Sequence, residues 1–226
     1  MKKALSSLIF ILALAVSSCS PVSDATGPGE KLATDLVSTQ AGTQAELSRS
    51  TVNALVQADD AGALETLRAT FVAVAGERQS FRIRYLMPAA EGGPSPHFFR
   101  LDLHHRTLIA HPDGTPIAEG ESVVITVTID PSDLRVELEP SGLRFNPDEP
   151  AELRLSYHRA NPDLDGDGDV DLHDADLENN LLGLWVRPGA EDSGEDWTLL
   201  GEADQDLVDK DFKAEIEHFS GYVVAW

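Results

Sequence analysis

The feature that most constrains this chain is a succession of short segments with a period of two. Ser122-Val-Val-Ile-Thr-Val-Thr-Ile129 is β-branched almost throughout, while Phe99-Arg-Leu-Asp-Leu103, Leu134-Arg-Val-Glu-Leu138 and Ala151-Glu-Leu-Arg-Leu-Ser-Tyr157 alternate apolar with polar. Phe81-Arg-Ile-Arg-Tyr-Leu-Met87 begins the series, and Leu184-Trp-Val186, Trp197-Thr-Leu-Leu200, Phe212-Lys-Ala-Glu-Ile216 and Tyr222-Val-Val-Ala-Trp226 end it. Alternate side chains of a strand point to opposite faces, so each run has one apolar face to bury. Pro, Gly, Asp or Asn bounds each of them, as in Gly92-Gly-Pro-Ser-Pro96, and such residues favour turns. Nine such strands across 77–226 predict a mainly β fold, a β-sandwich.

Ahead of these strands, 44–76 reads as one or two short amphipathic helices. Leu47, Val52, Leu55 and Val56, then Leu64, Leu67, Phe71, Val72 and Val74, recur near helical spacing, with Asp59 and Asp60 as N-cap candidates. Thr70–Ala75 also fits a strand, because Val and Phe alternate with Ala there.

One stretch belongs to neither period. Asp163-Leu-Asp-Gly-Asp-Gly-Asp-Val-Asp-Leu-His-Asp174 carries carboxylates at positions 1, 3, 5, 7, 9 and 12, with Gly168 at position 6. That spacing suits a calcium loop: Asp163, Asp165 and Asp167 offer side-chain oxygens, Asp169 its carbonyl, Asp171 a direct or water-bridged oxygen, and Asp174 the closing carboxylate. Glycine at position 6 permits the sharp turn, and Val170 at position 8 is the expected apolar anchor. Six carboxylates so close together repel one another unless a divalent ion neutralises them. Oxygen donors in this number favour calcium over zinc, copper or magnesium. The alternative is an acidic, solvated surface loop.

With Asp174 in place of the commoner closing Glu, the loop resembles an EF-hand of the dockerin type-I repeat. The likeness runs on through Asp176-Leu177 to Leu181-Leu182-Gly183, where the repeat's exit helix would end on a glycine. A dockerin carries two such repeats and docks on a cohesin, whereas this sequence holds one DxDxDG run. A single loop is expected to bind calcium weakly, with Kd on the order of 10⁻⁴ to 10⁻³ M.

The strand wording carries a second resemblance. Pro140-Ser-Gly-Leu-Arg-Phe145, Pro150-Ala-Glu-Leu-Arg-Leu-Ser-Tyr157 and Glu217-His-Phe-Ser-Gly-Tyr-Val-Val-Ala-Trp226 resemble ZU5-type β-sandwich domains of bacterial lipoproteins, with the acidic segment inserted at 159–183. Some domains of that kind cleave themselves at the tripeptide that here reads His218-Phe219-Ser220. The resemblance thus implies His218 as base and Ser220 Oγ as nucleophile on the preceding carbonyl. The structural alternative is a turn into the closing strand with Phe219 in the core.

The N-terminus reads as an export signal. Lys2 and Lys3 precede an apolar stretch, Leu5–Val16, too short for a mature span. Val16-Ser-Ser-Cys19 resembles the lipobox of bacterial lipoproteins, which implies a signal peptide over 1–18, a lipid on Cys19 and a membrane as partner. Cys19 is the only cysteine, so no intrachain disulfide can form. Ser20 and Ser23 with no Asp after Cys19 resemble lipoproteins sent to the outer membrane or cell surface. Residues 19–43, rich in Ser, Thr, Gly, Pro and Ala, read as a flexible tether.

Charge narrows the partners. A net charge of −22 and a pI near 4.4 set the surface against nucleic acid and anionic lipid. A protein or glycan partner stays open. For catalysis, neither a GxSxG elbow nor a phosphate-cradling glycine loop occurs. His97, His104, His105 and His111 lack zinc spacing; His104 and His105, neighbours on a strand, face opposite sides. Trp185, Trp197 and Trp226 suit a sugar platform or, better, the closing of the core. The reading is a lipid-anchored, exported, non-catalytic protein that binds one calcium ion and serves a structural or interaction role.

Overall fold

The computed structural model describes residues 48–49, 51–59, 62–86, 96–130, 132–187 and 196–226. The expected signal peptide, Cys19 and the expected tether lie outside them. Fourteen strands are formed among the described residues: β1 Ser48–Arg49, β2 Arg68–Val74, β3 Gln79–Arg84, β4 His97–Leu103, β5 Leu108–Ala110, β6 Ser122–Asp130 and β7 Arg135–Glu139 in the first half. The second half holds β8 Arg144–Phe145, β9 Ala151–Ser156, β10 Gly183–Arg187, β11 Trp197–Leu199, β12 Asp204–Asp206, β13 Asp211–Ile216 and β14 Gly221–Ala225. A short helix, α1 Leu172–Asp176, and a π-helical turn, Leu177–Leu181, lie between β9 and β10.

Antiparallel pairing builds two principal sheets. One has seven strands in the order β1-β11-β10-β14-β7-β6-β2, the other five in the order β12-β13-β9-β4-β3, and β5 pairs with β8 separately. β6 shows why the alternating sequence folds this way. Val123, Ile125, Val127 and Ile129 are all buried, while Ser122 before them and Val124 among them face outward. At about 1.5–3 kcal/mol per side chain, those four contribute on the order of 6–12 kcal/mol of transfer free energy against chain entropy. The opposite sheet answers with Phe99, Leu101 and Leu103 on β4, Leu153 and Leu155 on β9, and Phe212, Ala214 and Ile216 on β13, in one shared core. The architecture is mainly β and antiparallel, consistent with a sandwich.

The helices expected over 44–76 are absent from its described residues. Arg68–Val74 is strand β2, paired in full register with β6 from Arg68↔Thr128 to Val74↔Ser122. Tertiary pairing overrides a marginal helical period here, and the alternation through Thr70–Ala75 was the truer signal. Upstream, residues 53–58 form an extended strap. Asn53 N–H donates to Trp226 O, Trp226 N–H to Asn53 O, and Leu55 N–H to Val224 O. The strap continues where β7 leaves β14, because β7 pairs only with Gly221 and Tyr222 of that strand.

A second, smaller cluster explains the tryptophans. Trp185, Trp197, Val223 and Ala225 pack together on the far side of β14 from the main core, with Val52, Ala54 and Leu199 against them. Trp185 Nε1–H donates to Ala225 O at 3.0 Å, so its polar edge is satisfied while the ring is buried. Trp226 lies partly buried against the main core. The tryptophans therefore fill interior space, as their strand positions suggested.

Candidate metal centre

The acidic segment is one of the connections between the sheets, leaving the five-stranded one at β9 and entering the seven-stranded one at β10. Its conformation follows from its own carboxylates. Asp163 accepts from Gly166 N–H at 2.8 Å on one oxygen and from Gly168 N–H at 3.0 Å on the other. Asp165 accepts from Asp167 N–H at 3.1 Å, and Asp167 from Asp169 N–H at 2.9 Å, so each short side chain caps the turn that follows it. Gly166 and Gly168 take φ of +76° and +99°, a region that favours glycine and lets the chain reverse within the loop.

Asp174 closes this loop from α1. Its Oδ1 accepts from Leu164 N–H at 2.6 Å and Asp165 N–H at 3.4 Å, and its Oδ2 from Asp171 N–H at 2.8 Å. Asp171 returns the favour as N-cap of α1, accepting from His173 N–H at 2.6 Å. This reciprocal capping box was legible in the sequence as Asp171-x-x-Asp174 ahead of a helix, but the metal spacing masks it. The amide of Asp171 above all, then those of Leu164 and Asp165, hold the Asp174 carboxyl below the usual aspartate range against an opposing effect of desolvation. Asp174 therefore faces the loop ionised, with only 4% of its surface exposed.

Asp163, Asp165 and Asp174 each present an oxygen within 4.8 Å of the others, a group able to hold a metal ion. No other group of three metal-ligating side chains converges this closely among the described residues. Of the six aspartates expected as ligands, these three bring side-chain oxygens together, while the side chains of Asp167 and Asp171 stand outside the group and Asp169 is expected through its carbonyl. Each carboxylate oxygen has two lone pairs, so Asp163 and Asp174 retain acceptor capacity after their amide bonds are made. The donor set is hard oxygen only, which fits a hard cation rather than a thiophilic or imidazole-seeking one.

Two expectations around the loop are corrected. Val170 is 64% exposed and anchors nothing; it lines a cavity of about 390 Å³ beside Asp174, together with Ala58, Tyr157, Arg159 and Lys210. Gly183 does not end a helix. The helical stretch stops at Leu181, Leu182 is already extended, and Gly183 opens β10, where an added Cβ would run into Leu199 Cδ1. This glycine sits in close packing against β11 rather than at a helix cap.

The other sequence candidates fall as follows. His104 and His105 lie in the turn after β4, not on a strand, so both line one pocket with Glu149, Glu152 and Glu215. His105 Nδ1 is 3.7 Å from Glu149 Oε2, whose partner oxygen is taken by Arg106 at 2.6 Å. His97 faces Asp211 at 3.8 Å and His111 faces Glu121 at 2.8 Å, elsewhere on the molecule. In the tripeptide, Phe219 is fully buried edge-on to Phe145. Ser220 Oγ donates to the Arg187 carbonyl, and His218 Nδ1 lies 3.4 Å from the Phe219 carbonyl oxygen.

Two residues that sequence reasoning passed over tie the loop to the body. Leu164 packs against the main core, and Asn161 donates its N–H to Val56 O of the strap while its Oδ1 accepts from Asp163 N–H of the loop. An apolar residue between two loop aspartates was a signal for the first; nothing in the sequence marks the second. No protein-family model, curated protein or solved structure matches the chain.

Proposed function

We propose that this chain is an exported, lipid-anchored, non-catalytic β-sandwich protein whose acidic insertion binds one calcium ion. The observation that carries the reading is the convergence of Asp163, Asp165 and Asp174 in a loop with the EF-hand ligand order and a positive-φ glycine at position 6. The group brings three like charges within 4.8 Å of one another, an arrangement that a divalent ion would neutralise. In the proposed role the ion orders the 159–183 insertion and neutralises part of the acidic surface. The result is a rigid face for a protein or glycan partner.

The membrane attachment through Cys19 rests on the lipobox resemblance, and the ZU5-like assignment on the strand wording and the mainly β architecture. The ion acts as a fixed stabiliser. If extracellular calcium stands tenfold above Kd, binding adds about 1.4 kcal/mol to the folded state. Calorimetric titration of the mature protein with calcium tests this reading, run beside Asp165→Ala and Asp174→Ala. Saturable heat in the wild type that is lost in both variants is expected; absence of heat in the wild type returns the segment to a solvated acidic loop.

A further inference from the structure

We infer that Thr66 and Gln79 guard the free edge of β2, holding the main-chain groups through which a second copy of this chain would add its own β2 to the seven-stranded sheet. An edge strand presents unpaired N–H and C=O groups to any extended chain that approaches. β2 is the last strand of its sheet, and after Arg68 it carries no charge, reading Ala69-Thr-Phe-Val-Ala-Val74. An uncharged run of this kind, with β-branched and aromatic residues, is prone to pair with itself. The other sheet ends are blunted by simpler means. β1 is two residues long, and β12 is three and carries Asp204 and Asp206. β3 carries Arg82 and Arg84 with a register shift beside Arg84, and residues 63–65 bond along its end: Glu65 N–H donates to Arg84 O at 2.9 Å and Leu86 N–H to Ala63 O at 2.7 Å.

Pairing with β6 fixes which groups of β2 look outward. Ile129 N–H donates to Leu67 O and Ala75 N–H to Glu121 O, so the odd-numbered residues bond β6, while Arg68, Thr70, Val72 and Val74 turn theirs to the open side. Both ends of that side are occupied from within. Thr66 Oγ1 accepts from Arg68 N–H at 3.1 Å and donates to Arg68 O at 2.6 Å. Gln79 Oε1 accepts from Val74 N–H at 2.8 Å, and its Nε2 donates to Val72 O at 3.5 Å. Val74 O is taken by Glu77 N–H at 3.2 Å in the turn after the strand. Among the described residues, this leaves the outward groups of Thr70 and the N–H of Val72 open. Two copies paired antiparallel, Thr70 facing Thr70, would need the groups of Arg68 and Val72 as well, and so must displace both guards. Val72 and its neighbour Val124, 54% and 58% exposed, stand side by side at this rim, so pairing would also cover apolar surface.

Sedimentation velocity of the full mature chain, from about 1 µM to 1 mM, compares the wild type with Thr66→Val/Gln79→Leu. Both positions are half-buried, and these changes keep side-chain size while removing the hydrogen-bonding atoms. The double variant is expected to form a dimer or larger species at concentrations where the wild type does not. Its Val74 amide is expected to exchange about 2–13-fold faster at low concentration, the equivalent of one hydrogen bond. The two single variants, each opening one end, are expected to associate more weakly. Adding Thr70→Lys sets like charges opposite each other in the joint and is expected to restore wild-type sedimentation. Gln79→Glu, which still accepts from Val74 N–H and adds an edge charge, is expected to sediment as the wild type does. Wild-type sedimentation of the double and single variants overturns the inference, as does association that survives Thr70→Lys.

Discussion

Gly168 holds φ at +99°, and a Cβ built on it meets nothing within 4 Å. Replacing it by alanine therefore tests backbone conformation alone, since no contact is gained or lost and the amide that donates to Asp163 remains. An L-residue on the left-handed side costs about 1–2 kcal/mol, which corresponds to a factor of about 5–30 in an equilibrium constant. Where that cost falls is informative. If carboxylate repulsion keeps the ion-free loop open and calcium closes it, the strain is borne on binding, and Kd rises by about 5–30-fold. Gly114 supplies the control. It has φ of +82°, equally open space around a built Cβ, and a position in the turn after β5, away from the Asp163–Asp174 loop. Gly114→Ala is expected to lower the thermal midpoint while leaving calcium affinity unchanged. Paired calcium titrations and thermal melts in chelator measure both effects. If Gly168→Ala binds calcium as tightly as the wild type and instead melts early in chelator like Gly114→Ala, the loop is closed before the ion arrives, and the reasoning from repulsion is refuted.

Other expectations follow from single residues. Leu55→Ala, at a 3% exposed side chain in the strap, should cost about 2–5 kcal/mol by denaturant titration, and a loss below about 1 kcal/mol would show that the strap is not part of the core. Burial raises the Asp211 carboxyl above the ordinary aspartate range, with Arg154 and His97 opposing; its contribution to stability is therefore full below the unfolded pKa and is lost as pH rises through the folded one. Asp211→Asn should accordingly raise the thermal midpoint at pH 7 and not at pH 3, and an equal shift at both would refute the assignment. Burial lowers His97, so its contribution runs the other way: full above the ordinary histidine value and lost as pH falls through the depressed one. For the tripeptide, Ser220 Oγ is engaged by the Arg187 carbonyl, so denaturing mass spectrometry should find the Phe219–Ser220 bond intact; a C-terminal fragment beginning at Ser220 would reverse the non-catalytic reading.

The strands were legible because a two-residue period with β-branched residues admits few other folds, and β6, β9 and β13 lie where their alternation put them. The loop's internal turns were equally local, since each aspartate caps amides a few residues on. The helices expected before β2 failed for the opposite reason. Between Leu64 and Val74 the apolar spacing fits either period, and only the facing strand β6, some fifty residues away, settles which one forms.

What the sequence determined by itself is whatever a residue can do with its near neighbours: alternation, turns, caps, and the order of oxygen donors along Asp163–Asp174. Which of those donors converge, and what the loop leans on, was decided by contacts between distant segments. Asn161 joins a strap about a hundred residues upstream to the first aspartate, and Val170 stays exposed because no element covers it. Such contacts depend on how the sheets place their ends in space, and no local pattern encodes that.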